Sequence, residues 1–153
     1  MNTFLPNVLV IDDDPGILFL HKIIIKGEGL HPNPITFFDP EEALNHILEN
    51  DIPDKGILIF LDINMPRMSG WELLNHLEKK LRHVKVKVVM VTSSLDRSDK
   101  EKAQKSPFVM DFWEKPLNEN QIAFVAKQIP IWFELSNTLI LQCLSCILNC
   151  IKD

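Results

Sequence analysis

Cysteine is absent before position 143, and the three present (Cys143, Cys146, Cys150) fall within the last eleven residues. An odd number gathered at one end excludes a disulfide framework and suits a reducing compartment. Basic residues are also short, 16 Lys and Arg against 21 Asp and Glu, for a net charge of −5. A nucleic-acid surface needs a basic stripe, so none is expected. No block of like charges suggests a disordered tail, and the N-terminus lacks the basic segment of a signal peptide. The expected location is cytoplasmic. The 46% hydrophobic content is ample for one core, and 153 residues fit one domain with one appended element.

What is there is a repeated pairing of short apolar runs with helix-period segments. Strands are expected at residues 7–11, 35–38, 57–61, 86–91 and about 108–113. Asp14-Pro15 and Asp39-Pro40 read as N-cap followed by proline, opening helices after the first and second strands. A third helix is expected from Ser69 to about Arg82. A short polar one follows over 97–105, where Ser98 and Glu101 have capping-box spacing. The last opens near Asn118 and is stopped or kinked by Pro130. This alternation predicts an α/β fold: a doubly wound, five-stranded parallel sheet of order 2-1-3-4-5 with helices on both faces. The five histidines (21, 31, 46, 76 and 83) lack metal-ligand spacing and are read as surface residues.

The chemistry concentrates where these strands end. Val8-Leu9-Val10-Ile11 runs into Asp12 and Asp13, and Ile59-Phe60-Leu61 delivers Asp62 before a turn rich in Pro, Ser and Gly. Thr92 closes Val88-Val89-Met90-Val91, and Lys115 follows Phe112-Trp113-Glu114. Ligands of such sheets sit beyond the carboxyl ends of the strands at the switch in strand order, here between strands one and three. Carboxylates, a hydroxyl and an ammonium gathered there read as a metal-assisted phosphoryl site. Asp14 is taken up by capping, which leaves Asp12 and Asp13 for chemistry.

Over about residues 5–129 the chain resembles the receiver domain of two-component response regulators. The resemblance is carried by Asp12-Asp13, by Leu61-Asp62-Ile63-Asn64-Met65-Pro66-Arg67-Met68-Ser69-Gly70, by Val91-Thr92-Ser93-Ser94 and by Phe112-Trp113-Glu114-Lys115-Pro116. It implies a single-domain signalling module, not an enzyme beyond its own phosphorylation and dephosphorylation. Asp62 would accept a phosphoryl group from a sensor histidine kinase or phosphotransfer protein. Mg²⁺, or Mn²⁺ in its place, would be held by Asp13, Asp62 and the Asn64 main-chain carbonyl, with Asp12 acting through water. Lys115 and Thr92 would bind the phosphoryl oxygens, Pro116 would supply a cis bond, and Phe112 would stand where a switch aromatic, often tyrosine, is found. Asn64 and Ser94 lie where the family tunes hydrolysis.

Residues 1–129 are thus expected to form the receiver. Residues 130–153 are expected to form an apolar helical extension, with no output domain. Thr138, Gln142, Ser145 and Asn149 make one narrow polar stripe on a helix otherwise apolar, and Leu141, Leu144, Ile147 and Leu148 are its candidate contacts. It is too short to span a bilayer. It either folds over its own receiver or joins a second copy or another protein, the homodimer forming through this helix or the switch face. The three thiols then line an apolar seam. Two other functions compete: a phosphatase of the haloacid dehalogenase type with Asp12 as nucleophile, and a scaffold indifferent to phosphate. The first wants Asp-x-Asp-x-Thr or Val, and Gly16 stands at the last position.

Overall fold

The computed structural model describes residues 4–133. Five strands, β1 (Asn7–Ile11), β2 (Ile35–Phe37), β3 (Gly56–Asp62), β4 (Lys85–Thr92) and β5 (Val109–Glu114), alternate with five helices. The helices are α1 (Pro15–Gly27), α2 (Pro40–Glu49), α3 (Gly70–Lys80), α4 (Arg97–Lys105) and α5 (Glu119–Trp132). All strand pairs are parallel and the order is β2-β1-β3-β4-β5. The sheet is therefore the expected one. Of the extension expected over 130–153, residues 130–133 instead complete α5 of the receiver, and the rest, with Leu141, Leu144, Ile147 and Leu148, lies outside the described residues.

Strand alternation sorts the apolar residues into two layers. Leu9, Ile11, Ile57, Ile59, Leu61, Val88 and Met90 pack on one face with α2 and α3. Val8, Val10, Leu58, Phe60, Val89 and Val91 pack on the other with α1 and α5. β3 is buried at every position, as a central parallel strand covered on both faces must be. α4 is different, because it buries only Ala103. Polar contacts to α3 hold it instead: Trp71 Nε1 donates to Asp99 Oδ1 at 2.8 Å, Lys102 Nζ lies 5.8 Å above the Trp71 ring, and Ser106 Oγ donates to Glu78 Oε1 at 2.6 Å.

Helix starts follow local chemistry, with corrections. Asp14 and Asp39 cap α1 and α2 ahead of Pro15 and Pro40. The capping boxes belong to Ser69–Glu72 and Asn118–Gln121, whereas α4 is capped by Asp96, not by a Ser98–Glu101 box. Capping-box spacing was present at both places, but Asp96 lies two residues earlier and takes the Ser98 N–H first. Pro130 does not stop α5, which runs on to Trp132. The proline lies on the exposed face in the last turn, where water readily satisfies the carbonyl that its missing N–H leaves without a donor. Trp132 and Phe133 are buried, and the Phe133 ring meets Phe4 at 5.6 Å beside Gly56.

The loop after β3 returns tightly on itself. Gly70 N–H donates to the Ile63 carbonyl at 2.8 Å, and a Cβ on Gly70 would run into the Asp62 carbonyl. A side chain there forces the strand end and the helix start apart. Gly70→Ala is expected to lower stability by roughly 1–3 kcal/mol, the usual cost of overpacking, read as a lower urea midpoint at unchanged slope.

Candidate phosphoryl site

The register of the sheet determines which side chains can meet. Ile11 pairs with Leu61, so Asp12 leaves β1 beside Asp62 at the end of β3. Asp62 in turn pairs with Val91, and Thr92 with Glu114, which puts Thr92 and Lys115 one step further along the same edge. Four strand ends therefore converge on one mouth. Asp12, Asp62 and Thr92 are nearly inaccessible although polar, each at 3% or less of full exposure.

The ionic centre is a lysine between two carboxylates. Lys115 Nζ lies 2.6 Å from Asp12 Oδ2 and 3.1 Å from Asp62 Oδ1. Asp12 also accepts the Asp14 N–H at 2.9 Å. Asp12, Asp13 and Asp62 each offer an oxygen within 4.8 Å of the others, a donor set that suits a hard cation. Burial, the Asp12 charge and the Asp13 carboxylate, which accepts from the protonated Asp62, push the Asp62 carboxyl up to about 6, although Lys115 opposes them. Burial also raises Asp12 against the pull of Lys115. For Lys115, burial favours loss of the proton, but Asp12 and Asp62 outweigh it and hold the ammonium above its ordinary value. One ammonium thus faces three acids, an arrangement that another cation would complete.

Other expected residues stand around this centre. Lys115–Pro116 is a cis peptide, and Lys115 N–H donates to the Thr92 carbonyl at 2.7 Å. The Thr92 hydroxyl donates to the Ser94 carbonyl at 3.0 Å and accepts the Ser94 N–H at 3.3 Å, so it is turned toward its own loop. Asn64 and Ser94 are exposed at the rim. Phe112 is half-buried against the α2–α3 layer and lines a cleft of about 260 Å³ with Lys100, Ala103 and Met110. Arg67, at φ 67°, reaches Asp39 at 3.4 Å across the mouth.

One residue near the site was misread from sequence. His21 is not on the surface: it is 1% exposed, and its Nε2 accepts the Leu117 N–H at 3.1 Å. Burial, with the nearby Lys115 charge, pushes its pKa down to about 4. The available signal was its place in the stripe Leu18, His21, Ile25, spaced as the inner face of a helix.

The raised Asp62 value has a consequence with a definite sign. The folded protein holds a proton there up to about pH 6, whereas the unfolded chain releases it near 3.8, so the ion-free fold loses stability as pH rises between the two. A divalent cation competes with that proton. Mg²⁺ is therefore expected to raise the melting temperature more at pH 7.5 than at pH 5, measured by calorimetry. Equal increments would show that Asp62 is already ionised at pH 5.

Comparison with known proteins gives the same picture. Residues 8–127 match the response regulator receiver domain family. The two-component response regulator ARR22 of Arabidopsis thaliana is 38% identical over 118 residues, 76% of this chain and 78% of that protein. A two-component response regulator from Cytophaga hutchinsonii superposes with a TM-score of 0.68 at 28% identity, covering 82% of this chain and 99% of that one. A response regulator receiver protein from Dyadobacter fermentans gives 0.66 at 28%, covering 83% and 97%. With acids, hydroxyl and lysine at the same strand ends as the sequence resemblance required, and with a family match over most of its length, this chain belongs to the response regulator receiver domain family.

Proposed function

We propose that this receiver domain takes a phosphoryl group onto Asp62 from the phosphohistidine of a sensor histidine kinase or phosphotransfer protein. The modified form would then bind a different protein surface. The observation that carries the reading is the Asp62 carboxylate held 3.1 Å from Lys115 Nζ within a cluster of three acids. An Asp62 oxygen attacks phosphorus, the P–N bond breaks, and its electron pair stays on the imidazole nitrogen, which picks up a proton. Such a transfer depends on positioning and charge neutralisation more than on covalent assistance. With a pKa of about 6, Asp62 is mostly ionised at neutral pH and able to attack.

Asp13, Asp62 and the Asn64 main-chain carbonyl are the groups that would hold Mg²⁺, with Asp12 through water. When bound, the ion supplies the positive charge that lets a phosphoryl dianion approach three acids. Lys115 would move its contact from Asp62 to a phosphoryl oxygen, and Thr92 would leave Ser94 to donate to another. Turning Thr92 frees the space beside β4 into which Phe112 would rotate. We assign the residues through Phe133, where α5 ends packed in the core, to this domain, and the residues beyond it to an extension whose role is contact rather than catalysis.

Incubation of the full chain with Mg²⁺ and phosphoramidate is expected to add one phosphoryl group by intact mass, and Asp62→Asn to abolish the addition. Lys115→Met should slow it by roughly 10²-fold, as expected for loss of one preorganised charge. Asp12→Asn should still be modified. Loss in Asp12→Asn with retention in Asp62→Asn would instead place the nucleophile on β1, as in a phosphatase of the haloacid dehalogenase type.

A further inference from the structure

The turn that presents Lys115 has few means of attachment. Lys115, Pro116 and Leu117 offer two backbone N–H groups between them, because proline has none. The Lys115 N–H goes to the Thr92 carbonyl at 2.7 Å, and the Leu117 N–H goes to His21 Nε2 at 3.1 Å. The first bond continues the sheet. The second crosses 96 residues of sequence to a side chain in the middle of α1.

That helix begins directly after the acidic pair, with Asp14 as its cap. Acids and lysine are therefore joined twice: through the ion pairs of Lys115 with Asp12 and Asp62, and through α1, His21 and the Leu117 amide. His21 and Leu117 are both buried, at 1% and 2% exposure, so no solvent replaces the bond if the acceptor is removed. We propose that His21 is a positioning residue for Lys115, whose Nε2 sets where the ammonium stands relative to Asp62 by holding the turn that follows it. This rests on the reading of Lys115 as the phosphoryl-binding cation. It requires the proton on Nδ1, leaving Nε2 as acceptor. Burial keeps the ring neutral well below physiological pH, so the acceptor persists wherever the protein would work.

The test compares His21→Leu, which keeps bulk and removes the acceptor, with His21→Gln, whose amide oxygen can take the same N–H. Two readouts are followed in the full chain: the rate of Asp62 modification by phosphoramidate with Mg²⁺, and the NMR signals of the Leu117 amide and the Lys115 ammonium. His21→Leu is expected to slow modification roughly ten- to a hundredfold, the usual effect of a small misplacement. Its Mg²⁺ affinity should stay within about twofold, since no cation ligand is touched, and glutamine should recover most of the rate. The slowly exchanging Lys115 ammonium signal should fade in the leucine variant and return in the glutamine one. Should His21→Leu fail to fold, His21→Ala takes its place with the same readouts.

A leucine variant that modifies at the wild-type rate, or a glutamine variant as slow as leucine, would overturn the proposal and reduce His21 to packing. If the wild-type chain takes no phosphoryl group, the underlying functional reading fails instead. The NMR comparison then still decides whether His21 positions Lys115.

Discussion

The parallel pairing of β1 with β3 is the constraint from which the rest of this protein follows. Ile11 opposite Leu61 leaves the next residue of each strand, Asp12 and Asp62, side by side at the edge of the sheet and out of water. Two buried carboxylates in that position repel each other and lack hydration. Two neighbouring elements answer that problem, since the turn after β5 brings Lys115 between them and the Asp14 amide donates to Asp12, whereas Asp13 adds a third acid. The fold carries this electrostatic load because the apolar layers on both faces of β3 are continuous and buried.

The compensation is incomplete, and that is chemically useful. Burial and the acids that one ammonium cannot neutralise hold the Asp62 carboxyl above its ordinary range, and the site favours added positive charge. On the proposed function, a phosphoryl group brought in with a divalent ion would meet preorganised partners, with little rearrangement needed at the moment of transfer. The hydroxyl of Thr92 is the exception. It is occupied by Ser94 and would have to turn to take part, which couples the chemistry to the loop leading into α4. α4 is also the helix with the least buried apolar surface and is attached to α3 by Trp71, Asp99, Lys102, Glu78 and Ser106. An element held by polar contacts is released more cheaply than one held by a core.

Much of this was legible in the chain before any coordinates. Apolar runs of strand length, each ending in an acid or a hydroxyl, identified β1, β3 and β4, and Asp-Pro pairs marked α1 and α2. The errors came where two local signals competed or where a residue's environment was non-local. Asp96 and Ser98 were both acceptable caps, and the nearer acceptor to the first free amides won. Pro130 carried a stop signal that a helix on its last, solvent-facing turn can ignore. His21 was judged by residue type, although its position between Leu18 and Ile25 placed it inside.

The sequence by itself determined the order of elements, the edge on which the acids, hydroxyl and lysine would gather, and the family, because strand periodicity and caps act over a few neighbouring residues. Only the tertiary structure decided what those groups do to one another. That Lys115 sits between Asp12 and Asp62, that Thr92 turns toward Ser94, and that His21 holds the Leu117 amide are facts of register and packing across as many as 96 residues. Ion pairs and hydrogen bonds depend on distances of a few tenths of an ångström, and no local pattern encodes those.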